Sequence, residues 1–393
     1  MDIEKFKSEY PNFTNIDLAK KYNISYRQAQ RWGGKYNLKK DSSLISSLQK
    51  KIYKEGETEM LKNLVDVQEF SKAILDGLKD SKKLIKLPAK RNVFTGKLHE
   101  SAVLLLGDIH CGQLNSFLNV ATNKMEPTFN NEIMLQEFDR LLESISDINQ
   151  LLSHSYHLDK LYIFGVGDYL ENDVIYKGQR FFIDKGIGDQ LLLMVKVMTD
   201  FFVELSKMFD EIEFVGCIGN HGRFQMGKDA APTSNNFDYL MGKMLESRFE
   251  GNERIKITIP NDWWWVHQIY DWKYLIHHGD LVYSWMGIPF YGLKRQSTAR
   301  KAELDSLGLS YNIECIGHFH QKMELPVGRD TLTIVNGSWI DKSSHGWRRF
   351  QNLSKAEQHY FGVSPKRARS WHFDLELLRK KGEIQELLKG GDK

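Results

Sequence analysis

Five short apolar runs dominate the sequence from about residue 98 onward, and each ends in glycine next to acidic, amide or imidazole side chains. The runs read AVLLLGDIH, KLYIFGVGDYLEND, EFVGCIGNHGR, KYLIHHGD and ECIGHFHQ. Apolar runs of this length that end in glycine and polar residues predict buried β-strands. Helical stretches, among them residues 131–152 and 189–208, lie between the runs, and this alternation predicts an α/β layered domain.

The ends of these runs present side chains that can bind metal or move protons. A pair at positions i and i+2, such as Asp108 and His110, places both side chains on one side of the chain. A single histidine in a strand is usually a packed core residue, but five clusters at strand ends are hard to explain by packing. The neighbouring glycines let the backbone turn and bring the loops together. The full set is Asp108, His110, Asp168, Glu171, Asn220, His221, His278, His318 and His320.

The blocks GDxH, GDxxx, GNH, HG and GHxH occur in this order between about residues 100 and 340. This series resembles the calcineurin-like metallophosphoesterase superfamily. The resemblance implies an α/β fold, a metallophosphoesterase-type two-sheet sandwich flanked by helices. It also implies two metal ions held at the strand ends.

By the same resemblance, each candidate ligand receives a role. Asp168 would bridge both metals, and His278 is favoured over His277 because the family places its ligand directly before a glycine. Carboxylate and imidazole ligands suit Mn²⁺, Fe or Zn²⁺, and we expect Mn²⁺ by analogy with the nuclease branch. The first metal would also bind Asp108, His110 and His320, and the second Asn220, His278 and His318.

Three further residues are predicted to act in catalysis. In the family, the histidine at the position of His221 is not a ligand and would protonate the leaving oxygen. Glu171 stands where many relatives have Asp or His, so it either orients His221 or lies beyond the metal ligands. Arg223 either forks onto a phosphate or forms a structural salt bridge.

The N-terminal region has a different character. Residues 14–38 predict two helices joined by a turn at Asn23, with Ser25 capping the second helix and Gly33-Gly34 ending it. This resembles a DNA-binding helix-turn-helix, and the alternative is a helical cap or protein-docking module. We therefore divide the chain into a small all-α helix-turn-helix domain at 1–40, a helical and basic linker at 41–97, the metallophosphoesterase domain at 98–345 and a basic, aromatic C-terminal extension at 346–393.

Charge favours nucleic acid as the partner. Residues 1–97 carry 21 Lys and Arg against 12 Asp and Glu, whereas the remainder carries 33 against 39. A basic segment on an acidic body indicates a polyanionic partner. KRQSTARK at 294–301 and the C-terminal extension add cations, and the extension interleaves them with aromatic residues that either stack on bases or pack on the body.

We predict a two-metal phosphodiesterase that hydrolyses DNA. The alternatives are a phosphatase or dinucleotide hydrolase for small molecules, and a DNA-binding replisome or regulatory subunit with a dormant metal site. The absence of a Walker A motif means that any ATPase or replication partner would be a separate chain. Three cysteines, no apolar leader and no run of 18 apolar residues indicate a cytoplasmic protein without membrane contact. The residues after GNH resemble enzymes encoded by phages and mobile elements.

Overall fold

The computed structural model describes residues 3–13, 15–36, 85–90, 94–224, 232–282, 289–343, 353 and 355–377. The chain divides into two compact units, Met1–Ile74 and Leu75–Lys393. The described part of the smaller unit contains α1 (Ile3–Glu9), a 3-10 turn (Tyr10–Asn12), α2 (Asn15–Tyr22) and α3 (Tyr26–Lys35).

The smaller unit packs around an aromatic core. Phe6, Tyr10, Leu18 and Ala29 are buried in it. As predicted, a turn separates α2 from α3, and Asn23 takes φ 51° in it. The Ser25 hydroxyl accepts a hydrogen bond from the Gln28 amide at 3.1 Å and caps α3.

The predicted break at Gly33-Gly34 is wrong, because α3 continues to Lys35. A Cβ atom on Gly33 would lie 2.1 Å from the Tyr10 hydroxyl. The glycine therefore lets the helix approach Tyr10 closely instead of ending it.

The described part of the larger unit contains two large sheets and a separate two-stranded sheet, in which Asn115–Asn119 pairs antiparallel with Lys124–Phe129. The first has the order β13-β12-β1-β4-β5-β6, and the second has the order β10-β11-β9-β8-β7. Strands β1, β4, β5 and β6 run parallel, as do β8, β9 and β11. The strands are β1 (Leu98–Leu106), β2 (Asn115–Asn119), β3 (Lys124–Phe129), β4 (Tyr156–Gly165), β5 (Glu211–Gly216), β6 (Ile255–Thr258), β7 (Trp264–Ile269), β8 (Trp272–His277), β9 (Ile313–Ile316), β10 (Met323–Pro326), β11 (Leu332–Val335), β12 (Glu357–Val363) and β13 (His372–Glu376).

The sheets pack face to face and helices cover their outer faces, so the predicted two-sheet sandwich is confirmed. Val103 and Phe164 of the first sheet share a buried cluster with Tyr274 and Ile334 of the second. Tyr360 of β12 donates a hydrogen bond to Asn149 of a helix at 2.7 Å on the opposite face. The helices are α4 (Asn131–Leu152), α5 (Ile187–Leu205), α6 (Phe237–Arg248) and α7 (Pro289–Ser306), the last lying against the second sheet.

The first sheet extends beyond the predicted domain boundary at residue 345. Strand β12 pairs antiparallel with β1, and β13 pairs with β12. Tyr360 and Phe361 are 0% exposed, so of the two alternatives for these aromatic residues the structure shows packing on the body. Residues 344–352, 354 and 378–393 lie outside the described part of the chain.

The predicted linker at 41–97 is described only at 85–90 and 94–97. Arg254 donates a hydrogen bond to the Pro88 carbonyl at 3.3 Å, and Lys90 pairs with Asp210 at 2.5 Å. This end of the linker therefore contacts the sandwich. Among the described residues, no helix combines the length and apolarity needed to cross a bilayer.

The buried carboxyl group of Glu137 on α4 leads to a prediction about the stability of the fold. It is 1% exposed, and neither carboxylate oxygen has a hydrogen-bond partner. Burial, reinforced by Asp341, raises its pKa from 4.5 to about 9. The unfolded chain releases this proton near pH 4.5 but the folded chain keeps it, so stability falls as pH rises between these values. We expect Glu137→Met to raise the free energy of unfolding at pH 8 by about 1–3 kcal/mol.

Thermal unfolding at pH 5 and pH 8 checks this expectation. The advantage of Glu137→Met over the wild type should grow with pH, whereas Asp139→Asn, which neutralises an exposed carboxylate of the same helix, should show no such trend. Equal advantages at both pH values would mean that Glu137 is not held protonated.

Candidate metal centre

The carboxyl ends of strands from both sheets meet at one edge of the sandwich. Asp108 follows β1, Asp168 follows β4, Asn220 follows β5, His278 follows β8, and His318 and His320 follow β9. Parallel strands deliver their following loops to the same edge, which is where α/β sheets bind ligands. The structure therefore brings together all seven residues predicted to hold metal.

The first cluster contains Asp108, His110 and His320, whose ligand atoms lie within 4.8 Å of one another. His110 Nε2 is 2.9 Å from His320 Nε2. His110 Nδ1 lies 2.8 Å from a Glu171 carboxylate oxygen, which accepts, so Nδ1 carries a proton. Nε2 then presents its lone pair to the cluster, as in metal sites where a carboxylate orients the histidine.

The second cluster contains Asp168, His278 and His318, again within 4.8 Å. His278 Nδ1 is 2.7 Å from the Val166 carbonyl, so this nitrogen donates. His278 Nε2 lies 2.9 Å from the Asn220 side-chain oxygen and 3.0 Å from an Asp168 oxygen. Because this nitrogen faces two oxygen acceptors, either a proton bound to the nitrogen or a metal ion must lie between them. This set of carboxylate, amide oxygen and imidazole fits a divalent metal.

Electrostatics support cation binding between these clusters. Burial, opposed by His278 and reinforced by the nearby Asp168, raises the pKa of Asp108 to about 8. Burial also raises the pKa of Asp168, but His278 and His221 outweigh it and hold the pKa well below its usual range. Two buried carboxylates in one site repel each other, and a bound cation would relieve that repulsion.

Backbone strain is concentrated in the same residues. Asp108, His110, Asp168, His318 and His320 have φ of 50°, 53°, 54°, 73° and 54°. Side chains with a Cβ atom rarely adopt this left-handed conformation, and such strain is typical of functional sites. The surrounding fold therefore holds five of the seven candidate ligands in a backbone conformation that residues other than glycine disfavour.

Two glycines make room for the carboxylates. A Cβ atom on Gly219 would lie 2.0 Å from an Asp168 oxygen, and one on Gly317 would lie 2.5 Å from an Asp108 oxygen. Since neither glycine has a positive φ, their role is close approach and not the sharp turn that the sequence suggested.

His221 and Glu171 lie beside both clusters. A Glu171 oxygen is 3.1 Å from His221 Nδ1 and 2.8 Å from His110 Nδ1. Burial raises the pKa of Glu171, but His221 and His110 outweigh it and lower the pKa to about 2. Burial lowers the pKa of His221, but Glu171 and Asp168 raise it to about 9. Glu171 thus contacts His221, as one of its two predicted roles requires, and also supports a candidate ligand.

Arg223 lies in the salt bridge that was one of its two predicted alternatives. Its guanidinium pairs with Asp280, and both side chains are largely buried, at 12% and 14% exposure. The prediction that Arg223 forks onto a phosphate gains no support, because this carboxylate already binds the guanidinium. Asp280 follows the HHG block, but nothing in the sequence pairs it with a residue 57 positions away.

Sequence reasoning missed the residues that position the loops. An Asp238 oxygen accepts hydrogen bonds from the Asp168 amide at 3.0 Å and the Gly219 amide at 2.9 Å. The Asn172 amide group donates to the carbonyls of His221 and Arg223, both at 2.7 Å. Asn236 caps α6 two residues before Asp238, so the helix-start pattern NNFD was a usable signal.

The basic segments have mixed environments. On α3, Arg27, Gln28, Arg31 and Lys35 are exposed. In the 294–301 segment, Lys294 bonds to backbone carbonyls, Arg300 pairs with Glu314 and Lys301 with Asp305. In the C-terminal region, Arg369 pairs with Glu324, whereas Lys366 and Arg367 are exposed. Four further residues of the predicted basic and aromatic pattern lie outside the described part of the chain: Trp347, Arg348, Arg349 and Phe350.

No family model and no curated protein matches the chain. Among solved structures, Vps29 from Entamoeba histolytica is 12% identical to this chain with a TM-score of 0.30. The match covers 70% of this chain and 98% of the Vps29 chain. A protein from Streptococcus pneumoniae described as a predicted phosphoesterase is 10% identical with a TM-score of 0.26, covering 71% of this chain and 99% of that protein. A protein from Staphylococcus aureus described as a 5′-nucleotidase is 10% identical with a TM-score of 0.31, covering 74% and 58%. Likeness at this level carries no weight about activity.

Proposed function

We propose that this protein is a metallophosphoesterase of the calcineurin-like type, a two-metal phosphodiesterase that acts on DNA. The observation that carries the proposal is the pair of adjoining carboxylate and imidazole clusters, with His221 held beside them. Asp108, His110 and His320 would hold one metal, Asn220, His278 and His318 the other, and Asp168 would contact both. Metal ions bound there, Mn²⁺ by our expectation, would supply an activated water and neutralise phosphate charge.

The protein's own residues account for proton transfer. Glu171 holds His221 through Nδ1, so Nε2 is the nitrogen that can give a proton to the leaving oxygen. The His221 amide donates to an Asp168 oxygen at 2.8 Å, which ties the position of the acid to the metal-binding carboxylate. The carbonyl of His221 is fixed by Asn172. These backbone hydrogen bonds would orient the His221 imidazole while leaving it free of metal coordination.

DNA as the substrate is supported by the exposed polar and basic side chains of α3, Arg27, Gln28, Arg31 and Lys35. In a helix-turn-helix the second helix lies in the major groove, and such side chains contact phosphates and bases. The salt bridges from Arg300 to Glu314 and from Lys301 to Asp305 weaken the 294–301 segment as a DNA contact. The DNA proposal therefore depends mainly on the N-terminal unit.

A direct test compares two substrates. The 393-residue chain, stripped with EDTA and reloaded with Mn²⁺, should cleave both bis-p-nitrophenyl phosphate and labelled DNA. We expect Arg27→Ala/Arg31→Ala to weaken DNA binding and reduce the slope of log K against log salt by about 2, since each phosphate contact contributes about one. Hydrolysis of the small diester should be unchanged, and Lys196→Ala, which removes an exposed cation from α5, should change neither.

Other results would identify the alternatives. Cleavage of the small diester without DNA cleavage, and with the double variant unchanged, would indicate a small-molecule phosphatase or dinucleotide hydrolase. Protein that takes up no metal and cleaves neither substrate would indicate a dormant site in a DNA-binding or replisome subunit.

A further inference from the structure

A loop between β4 and α5 exposes several aromatic side chains beside the candidate metal centre. We call Tyr176–Lys185 the aromatic loop; its sequence is YKGQRFFIDK. Phe181 is 85% exposed, Phe182 is 57% exposed and Tyr176 is 49% exposed. Single exposed apolar residues are common, but three aromatic residues grouped in one short loop suggest a binding surface.

The aromatic loop is anchored to the centre at its inner side. Gln179 is buried, and its amide group donates to the Glu171 carbonyl at 2.7 Å and to a Glu171 carboxylate oxygen at 2.8 Å. The Gln179 side-chain oxygen accepts from the Ile175 amide at 2.8 Å. Because Glu171 also contacts His110 and His221, this anchor fixes the loop to the catalytic residues.

The outer side of the loop is also pinned. The Leu114 amide donates to the Phe182 carbonyl at 2.8 Å, and the Asp184 amide donates to the Gly112 carbonyl at 2.7 Å. Asn131 donates to the Asp184 carboxylate at 2.9 Å. The backbone thus displays both phenylalanines from a fixed position, which lowers the entropy cost of binding a ligand on them.

Tyr176 connects the loop to the reaction site. Its hydroxyl lies 2.7 Å from the Asn220 side-chain nitrogen, and its ring centre lies 5.1 Å from that of His221. A ligand on the aromatic loop would therefore extend directly from the proposed leaving-group acid.

The charges of the loop favour a polyanion. Lys177, Arg180 and Lys185 are exposed, whereas the one acidic residue, Asp184, is bonded to Asn131. Cations interleaved with aromatic rings are the pattern by which proteins bind single strands, with rings stacking on bases and cations following phosphates. Paired bases within a duplex do not offer a face for such stacking.

We propose that the aromatic loop binds single-stranded nucleic acid next to the metal centre, with Phe181 and Phe182 stacking on unpaired bases and Lys177 and Arg180 contacting phosphates. This inference deepens the proposed function, on which it rests, by naming the substrate as an unpaired strand. A protein partner on this surface would use the rings as apolar area and would have no need of their aromatic faces.

The test measures binding of a fluorescent 15-mer of thymidylate to the 393-residue chain in EDTA, where cleavage is blocked. We expect Phe181→Ala/Phe182→Ala to raise Kd by at least about 30-fold, because the variant loses two aromatic faces that would each stack on a base. Phe181→Leu/Phe182→Leu should be nearly as weak, whereas Phe181→Tyr/Phe182→Tyr should bind like the wild type. Leu192→Ala, which removes an apolar side chain that is 61% exposed on α5, is the matched control.

Two companion measurements separate the possible failures. In the alanine variant, bis-p-nitrophenyl phosphate hydrolysis and binding of a 15-base-pair duplex should stay within about twofold of the wild type. Unchanged thymidylate binding in that variant, or full binding by the leucine variant, would overturn the stacking proposal while leaving the phosphodiesterase intact. If the wild type cannot cleave the small diester, the proposed function fails, and the binding series alone decides the loop.

Discussion

Asp168→Asn is expected to lower bis-p-nitrophenyl phosphate hydrolysis by at least about 10³-fold, because metal ions supply several kcal/mol of transition-state stabilisation. Asp168 is 1% exposed, and its two oxygens contact His278 at 3.0 Å and the His221 amide at 2.8 Å. Asparagine preserves the volume and one oxygen but removes the negative charge between the clusters. The bound metal should therefore fall from about two ions towards one or none, while the fold is retained.

Metal content by mass spectrometry and Mn²⁺ titration calorimetry check this result directly. Asp200→Asn, which neutralises an exposed carboxylate on α5, should retain full metal and full activity. Should Asp168→Asn keep the wild-type metal content and rate, the assignment of these clusters as the metal centre would be wrong.

His221→Gln is expected to separate metal binding from proton transfer. The variant should keep its metal, because His221 is placed beside the ligands and not among them. Its kcat for DNA should fall by about 10²- to 10⁴-fold, the range for losing a positioned general acid. The loss should be much smaller for bis-p-nitrophenyl phosphate, because nitrophenolate is a stable anion that leaves without protonation.

Glu171→Gln provides the comparison for this experiment. It weakens the support of both His110 and His221, so metal affinity should fall by about 10- to 100-fold along with activity.

Equal losses on DNA and on the nitrophenyl diester in His221→Gln would contradict the leaving-group role. A loss of metal in that variant would instead identify His221 as a ligand.

The local pattern of apolar and polar residues was sufficient to predict much of the fold. Each of the five apolar runs forms a strand, from β1 to β9, and the helices predicted at 131–152 and 189–208 are observed as Asn131–Leu152 and Ile187–Leu205. The family resemblance implied the seven candidate ligands, and each lies in the loop that follows its strand. When strands share a direction in a sheet, adjacency in sequence is enough to place their ends at one edge.

Other features depended on contacts between distant segments. The sequence from 357 to 376 combines aromatic residues with three cations, Lys366, Arg367 and Arg369. This composition occurs both in nucleic-acid surfaces and in strands whose aromatic side chains pack in a core. Only its pairing with β1 decides that Tyr360 and Phe361 lie in the core. The prediction of a separate C-terminal extension therefore missed two strands of the central sheet.

The sequence by itself determined the layered fold and the chemistry available at its edge, because apolar periodicity and residue type are local properties. The tertiary structure alone decided how those groups are used. It pairs Arg223 with Asp280, joins Glu171 to both His110 and His221, and ties the aromatic loop to the centre through Gln179. These choices depend on which loops meet in space, and on backbone strain that many long-range contacts hold in place against local preference.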